Sequence, residues 1–487
     1  MSTTTQSIPA FAAASRPVPA AAFEVLVYLE VVGFATLCFL LGWLQPNSAA
    51  VLTILLLGAL IVLAWNRFNQ GRHPCFLFLG TLMLFQGGRL LSYCLGGESS
   101  PLRIGGIAPY PFDMSRDEAG IVLLCLALSA LCIYAPCRWN YRKIQSSADA
   151  AVRRYLPYLY LVFYATLPLQ LFKNYKYYEY VQQHGGYVYF FINHSGVASS
   201  VPLLVRAIVL ITFPAFVAIF VFERRKKYLY LATALYFATA SLVLLLGLRG
   251  GIFAIVLVLW YVSGIKSSQR SRVVTVAALA ILLVMVGSVV QGLREDNPKS
   301  LSDLARAPVE FVTLQGNSLD VTEVAVKYRK VFAPYAASYL WNELKNGFVA
   351  NDTSNYFRGK SLAFDVPVLL NSNAFSLGHG TGGSYVAEAY VIGGVAGVVV
   401  ISLLIGAGLH LLYRLSRKGL SLFIVAMILP DVIIMPRGNL LDWLSVLLRT
   451  AIFIGILALG WILYRSLSWL RPTPHGDGIA PAGANLD

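Results

Sequence analysis

The chain alternates between long apolar runs and short polar breaks. Most runs are about 18 to 22 residues long, which matches the roughly 20 residues that a helix needs to cross the hydrocarbon of a bilayer. This alternation predicts twelve spans, which begin near residues 23, 49, 75, 119, 155, 201, 229, 250, 273, 385, 419 and 445. The pattern therefore predicts an all-α polytopic membrane protein with about 12 transmembrane helices.

The spans and breaks divide the chain into five segments. A tail at 1–22 precedes spans one to nine at 23–291, and a large loop covers 292–384. Spans ten to twelve cover 385–467, and a second tail covers 468–487. We interpret the first run as a retained helix, because it is longer than the apolar core of a signal peptide. The Pro- and Gly-rich second tail is predicted to be disordered.

The composition agrees with a membrane protein. Hydrophobic residues make up 57% of the chain and charged residues only 13%, against roughly 25% charged in soluble proteins. The six cysteines fall in or beside predicted spans, with neither a disulfide framework nor a CxxC pair. The sequence also lacks D-x-D, H-E-x-x-H and P-loop motifs, so we expect no metal ion and no cofactor.

Lysine and arginine collect in every second loop, as in "RWNYRK", "ERRKK" and "KSSQRSR". The positive-inside rule makes these loops cytoplasmic, which places both termini inside and the loop at 292–384 outside. That loop has nine basic and nine acidic residues and is therefore neutral. The net charge of +15 is mostly a consequence of topology, so we expect a bilayer and no nucleic acid as partner.

Several arginines lie where a charge is costly. Arg89, Arg206 and Arg449 fall inside predicted spans, where arginine needs a partner or a function. For Arg89 and Arg206 the alternatives are structural pairing or reaching to the surface. Arg249 in "LGLRGGIF" and Arg437 in "MPRGNLLDW" lie in outward turns, each followed by glycine. Guanidinium groups match phosphate oxygens, so these arginines predict a site for a lipid pyrophosphate.

A glycine-rich stretch, "SLGHGTGGSYVAEAYVIGG", leads into the tenth span. Gly378, Gly380 and Gly383 satisfy the pattern G-x-G-x-x-G, with Gly382 between them. No strand precedes them, so a dinucleotide site is not predicted. Glycines before a helix N-terminus still let backbone N–H groups approach an anion.

Two titratable residues flank this loop. His379 and Glu388 are candidates for the acid and base that would take a proton from a sugar hydroxyl. The alternative for His379 is an ordinary exposed loop histidine. Glu388 could instead pair structurally with an arginine.

Four segments, "LGLRGGIFAIVL", "LQGNSLDVTEVAVKY", "GHGTGGSYVAEAYVIGG" and "MPRGNLLDW", resemble the O-antigen polysaccharide polymerase (Wzy) family. The resemblance implies a GT-C-type glycosyltransferase of the bacterial inner membrane, working at the periplasmic face without a nucleotide sugar. It would transfer a growing glycan from undecaprenyl pyrophosphate onto a new lipid-linked repeat unit, with inversion. The first outward loop, "QPNS", lacks an acidic pair, which favours a metal-independent mechanism.

The resemblance also assigns roles to residues. Arg249 would bind pyrophosphate with the help of Arg294 and Arg437, and Glu388 and His379 would act as base or bind the acceptor. Tyr385 and Asn439 would contact substrate, and a chain-length regulator protein would be a further partner. An O-antigen ligase is the alternative enzyme. A lipid-linked oligosaccharide flippase or sugar transporter is the alternative from another class.

Overall fold

The computed structural model describes residues 46–68, 72–97, 100–102, 113–138, 155–185, 188–245, 249–266, 301–346, 356–376 and 380–469. The predicted tail at 1–22, the first span and the ninth span near 273 lie outside these residues. Residues 470–487 of the second predicted tail also lie outside them.

The described residues form helices and no β-strand. Up to residue 266 the helices are α1 (Pro46–Arg67), α2 (Pro74–Phe85), α3 (Gly88–Cys94), α4 (Arg116–Arg138), α5 (Leu156–Gln183), α6 (Val188–Ile192), α7 (His194–Ser199), α8 (Leu203–Val209), α9 (Thr212–Phe222), α10 (Lys226–Leu245) and α11 (Arg249–Lys266). From residue 301 they are α12 (Leu301–Gln315), α13 (Ser318–Lys327), α14 (Arg329–Phe332), α15 (Ala336–Asn346), α16 (Leu362–Ser376), α17 (Tyr385–Leu415), α18 (Gly419–Ile434) and α19 (Asp442–Trp469), with 3-10 turns at Ala333–Tyr335 and Met435–Arg437.

Some of these helices are long and apolar enough to cross a membrane. In the described part of the chain there are five such segments, and six if the bent pair α2 and α3 is one span. The predicted all-α membrane class is confirmed, whereas the predicted number of about twelve spans is not. Large apolar side chains such as Leu203 and Leu404 are 72% and 66% exposed. Lipid would cover side chains that a water-soluble protein buries.

The centre of the bundle is the pair α4 and α17. These helices run parallel, because Ser129 contacts Ser402 while Cys137, further along α4, contacts Gly406. A Cβ atom at Gly406 would lie 2.5 Å from the carbonyl oxygen of Ile133. A small residue at this position therefore lets the two backbones approach closely, as is common between transmembrane helices.

The break between α2 and α3 is held by Gln86. The two helices meet at an angle of 65°, and the side-chain amide of Gln86 donates to the carbonyl oxygen of Pro436 at 2.6 Å and to that of Ser318 at 3.2 Å. Its oxygen accepts from Thr322 Oγ1 at 3.0 Å. This buried side chain joins the α2–α3 break, the start of α13 and the turn after α18.

The helices between residues 301 and 376 belong to the loop that was predicted to face outward. Apolar residues at helical spacing in "SLDVTEVAVKYRKVF" predict one helix over 318–332 with Ser318 as its cap, but the structure divides this stretch at Tyr328 into α13 and α14. The predicted cap is wrong: Ser318 is already the first helical residue, and Asn317 precedes the helix without a side-chain cap bond. The buried face of α13 packs against α4 and α17, so the helices between residues 301 and 376, named the outer helices after the predicted topology, rest directly on the membrane bundle.

Candidate functional site

The glycine loop packs against the turn that follows α18. Gly382 has φ +78°, a conformation that favours glycine. The amide of Gly383 donates to the carbonyl oxygen of Arg437 at 3.3 Å. A Cβ atom at Gly383 would lie 2.8 Å from Asn439 Oδ1 and 2.9 Å from the backbone of Gly438. The backbone of the loop therefore lies directly on residues 437–439.

Glu388 lies in the first turn of α17, immediately after this loop. Its Oε2 accepts a hydrogen bond from the amide of Leu440 at 2.8 Å, and the residue is 2% exposed. Among the described residues, no ion pair joins Glu388 to an arginine. The geometry thus ties the predicted base to the segment that carries Arg437 and Asn439.

Glu343 is a second carboxyl of the same site, and the sequence argument missed it. It lies on α15 with 1% exposure, and its Oε2 accepts from the amide of Leu441 at 3.1 Å. Burial raises the pKa of the Glu343 carboxyl to about 7, even though a hydrogen bond with Glu388 opposes the shift. The charge of Asp442 raises this pKa further. One proton on this pair is therefore easily exchanged near neutral pH.

Asn439 and Asp442 complete the cluster. The side-chain amide of Asn439 donates to both carboxylate oxygens of Asp442 at 3.2 Å. With both carboxyls ionised, three buried acceptors of this cluster have no hydrogen-bond partner among the described residues: Oε1 of Glu343, Oε1 of Glu388 and Oδ1 of Asn439. Buried acceptors are normally satisfied. Three such atoms in one cluster indicate a place where hydroxyl donors of a ligand would bind.

Arg437 lies at the exposed edge of this cluster. Its guanidinium donates to Oε1 of Gln315 at the end of α12 and lies 5.7 Å from the centre of the Phe85 ring. These contacts hold a cation beside the glycine loop. The groups of the site therefore differ in exposure: the guanidinium is exposed and the carboxyls are buried.

A break in α17 separates the short helix that carries Glu388 from the rest of the span. Gly394 adopts φ +62° and ψ −149°, a region occupied almost only by glycine. Arg329 Nε donates to the carbonyl oxygen of Tyr390 at 3.1 Å, and its guanidinium lies 5.7 Å from the Tyr390 ring centre. An arginine of the outer helices thus satisfies a carbonyl that the break leaves without its helical partner.

Other predicted site residues lie elsewhere or cannot be placed. Arg294, Gly378 and His379 fall outside the described residues. Arg249 begins α11. Tyr385 is fully buried, and its hydroxyl bonds to Ser129 in the α4–α17 interface.

The structure also places three other residues that the sequence analysis named. Gly380 is exposed in the glycine loop. Arg89 pairs with Asp320 and Glu323, so the structural alternative holds for it. Arg449 is exposed and donates to Ser445 Oγ at 3.0 Å.

The structure is an apolar helical bundle with exposed leucines. Further helices cover the bundle and share a buried polar cluster with it. These features define an integral membrane protein. A protein-family model, O-antigen polysaccharide polymerase Wzy, matches residues 25–467. This match covers nearly the whole chain, and the chain belongs to that family. The predicted family is therefore confirmed. Neither a curated protein nor a solved structure matches the chain significantly.

Proposed function

We propose that the protein is a polysaccharide polymerase of the bacterial inner membrane, acting at its periplasmic face. It transfers the growing glycan from undecaprenyl pyrophosphate onto a new lipid-linked repeat unit. Family membership supports the polymerase class. The observation that carries the site is the cluster of buried acceptors on Glu343, Glu388 and Asn439, next to the glycine loop and Arg437.

The proposed reaction is a single displacement. A hydroxyl of the acceptor sugar donates its proton to the Glu388 carboxylate as its oxygen attacks the anomeric carbon of the donor glycan. The bond between that carbon and the pyrophosphate oxygen breaks, and its electron pair leaves with undecaprenyl pyrophosphate. Attack from the face opposite the leaving group inverts the anomeric configuration.

Two neighbouring buried carboxyls do not ionise together easily. Glu343 and Glu388 therefore share one proton, and Glu388 acts as the base when this proton lies on Glu343; the backbone amides of Leu440 and Leu441 fix both carboxyls. Oδ1 of Asn439 would accept from another sugar hydroxyl. Because these oxygen atoms are closed to solvent, binding of the acceptor sugar requires part of the surrounding chain to shift.

Arginine side chains would stabilise the charge that develops on the leaving pyrophosphate, without a metal ion. Arg437 is the described member of this set, beside backbone N–H groups of the glycine loop. Arg249 and Arg294 stay predictions as its partners, and His379 stays a prediction as a second acid or base. Tyr385 as a substrate contact, the cytoplasmic termini and a chain-length regulator partner are predictions of the same standing.

The test is polymerisation by the purified protein in nanodiscs with synthetic undecaprenyl-pyrophosphate repeat units and EDTA. We expect a ladder of products on a gel, strongly reduced in Arg437→Ala and Arg249→Ala. A single transfer to lipid A core, without a ladder, would indicate a ligase. Movement of lipid-linked sugar across liposomes, without new glycosidic bonds, would indicate a transporter.

A further inference from the structure

A second cluster of reactive side chains lies far from the proposed catalytic site. One ring nitrogen of His73 and the sulfur atoms of Cys75 and Cys137 lie within 4.8 Å of one another. All three residues have 0% exposure. His73 and Cys75 come from the start of α2, and Cys137 comes from the last turn of α4.

The position of this cluster separates it from the glycosyl-transfer chemistry. The thiol of Cys137 donates to the carbonyl oxygen of Gly406 at 3.2 Å, so it lies beside α17 well beyond the turn that carries Glu388. At 1.5 Å per helical residue, Gly406 and Glu388 are roughly 25 Å apart along the helix. Positive-inside topology puts the cluster at the cytoplasmic end, where thiols stay reduced.

The surroundings form an enclosed aromatic shell. The His73 ring lies 4.4 Å from the centre of the Phe68 ring, 4.6 Å from that of Tyr413 and 5.8 Å from that of His410. Nδ1 of His73 accepts from the amide of Cys75 at 3.1 Å and caps α2. A metal ion bound through Nε2 places the ring proton on Nδ1, so the filled site would give up this cap bond and leave Nδ1 as a donor, the form in which outer hydrogen bonds orient metal-bound histidines in known sites.

We propose that His73, Cys75 and Cys137 supply three of the four ligands of one structural zinc ion. Two cysteine sulfurs and one histidine nitrogen are typical zinc ligands, and ligand atoms in a tetrahedral zinc site lie about 3.3 to 3.8 Å apart. Small side-chain movements would reach this spacing from the observed limit of 4.8 Å. Two thiolates also neutralise the charge of Zn²⁺, so the filled site places no net charge inside the bundle.

The zinc ion would tie the start of α2 to the end of α4, next to α17. It would stabilise the cytoplasmic end of the central helix pair and take no part in glycosyl transfer. The inference does not depend on the proposed function. The sequence motifs gave no sign of the site, because Cys75 and Cys137 are 62 residues apart and only the tertiary fold brings them together.

The test uses the full chain, purified in detergent from cells grown with zinc. We expect about one zinc ion per chain, and a thiolate-to-cobalt charge-transfer band when Co²⁺ replaces it. His73→Asn is the decisive variant, since asparagine can still cap α2 but removes a ligand. It should weaken zinc binding by about tenfold or more, because even loss of a supporting partner of a ligand costs about 10- to 100-fold.

The matched control is Cys125→Ser, which changes another fully buried cysteine of α4 and should keep zinc and the cobalt band. Cys75→Ser and Cys137→Ser should lose both. Absence of zinc and of the cobalt band in folded wild type would overturn the proposal, as would an unchanged cobalt band in His73→Asn. A Cys75–Cys137 disulfide formed in the presence of saturating zinc would show a redox pair instead.

Discussion

Two buried acidic clusters lie where α13 and α15 meet the bundle, and they differ in their partners. In one, Asp320 and Glu323 of α13 both bond to the guanidinium of Arg89. In the other, Glu343 and Glu388 each accept from a backbone amide and hydrogen-bond to each other, and no guanidinium among the described residues pairs with them. The first cluster is arranged to stabilise the fold, and we propose that the second binds a ligand.

The difference follows from the cost of burying polar groups. Arg89 forms an ion pair with each of the two carboxylates, which locks α3 to α13. A buried carboxyl with an unsatisfied oxygen costs stability, and a fold keeps such a group where its chemistry is used. Substitutions in the two clusters should therefore have opposite signatures: loss of stability in the first, and loss of activity in the second.

The largest expected effect is on activity, in Glu388→Gln. This isosteric change removes the proposed base and should lower the rate of chain growth by about 10²- to 10⁴-fold. The thermal unfolding temperature should change little, because the amide can still accept from Leu440. The rate is measured with purified protein and lipid-linked repeat units. Normal growth in a folded variant would exclude Glu388 as the base.

The largest expected effect on stability is in Arg89→Met. It leaves two buried carboxylates without their guanidinium, which should cost about 3 to 5 kcal/mol. Thermal unfolding in detergent measures the loss. Arg449→Met is the matched control, since Arg449 is exposed and should change stability by less than about 0.5 kcal/mol. Equal thermal unfolding temperatures for the two variants would contradict the role of Arg89 in locking α3 to α13.

A smaller effect is expected on the pH dependence of stability, in Glu343→Gln. The raised pKa means that the folded protein holds the Glu343 proton more tightly than the unfolded chain does. This contribution is complete below pH 4.5 and is lost as the pH rises through about 7. It amounts to at most about 3 kcal/mol. The free energy of unfolding, measured across this pH range, should therefore fall less with rising pH in the variant than in wild type. Parallel curves would show that Glu343 does not titrate in this window.

The smallest effect is expected for Gly394→Ala at the break in α17. The positive φ and ψ near −149° should cost an alanine about 1 to 3 kcal/mol, and a changed backbone at the break should slow chain growth as well, because the break positions the helix that carries Glu388. Gly408→Ala is the control, because a Cβ atom there meets nothing within 4 Å. It should be neutral or slightly stabilising in thermal unfolding. A tolerant Gly394 would mean that the break does not position Glu388.

The sequence predicted the membrane class and the family, and the role of the stretch around Glu388 stays a prediction. Apolar runs report spans directly, and the glycines mark a loop whose backbone must approach another segment. The same pattern missed Glu343. On α15 the buried face carries Tyr339 and Glu343, whereas Trp341 and Leu344 are 58% and 40% exposed. Hydrophobic periodicity would have placed the tryptophan and leucine inside, because it does not register buried polar groups.

The break between α2 and α3 was also beyond the sequence pattern. Residues 74–94 are apolar enough to appear as one span, and the bend at Gln86 depends on partners near Ser318 and Pro436. These lie more than 200 residues away along the chain. Long-range hydrogen bonds of this kind determine the geometry of the site, and the local sequence pattern does not predict them.

The most direct test of the central claim compares Glu388→Gln with Glu323→Gln in one single-turnover assay with donor and acceptor lipids. Thermal unfolding of each variant is measured alongside. The account predicts that Glu388→Gln stays folded and forms almost no new glycosidic bond. It predicts that Glu323→Gln melts earlier but transfers normally while folded. Transfer at the wild-type rate by Glu388→Gln would contradict the account, and so would loss of transfer in folded Glu323→Gln.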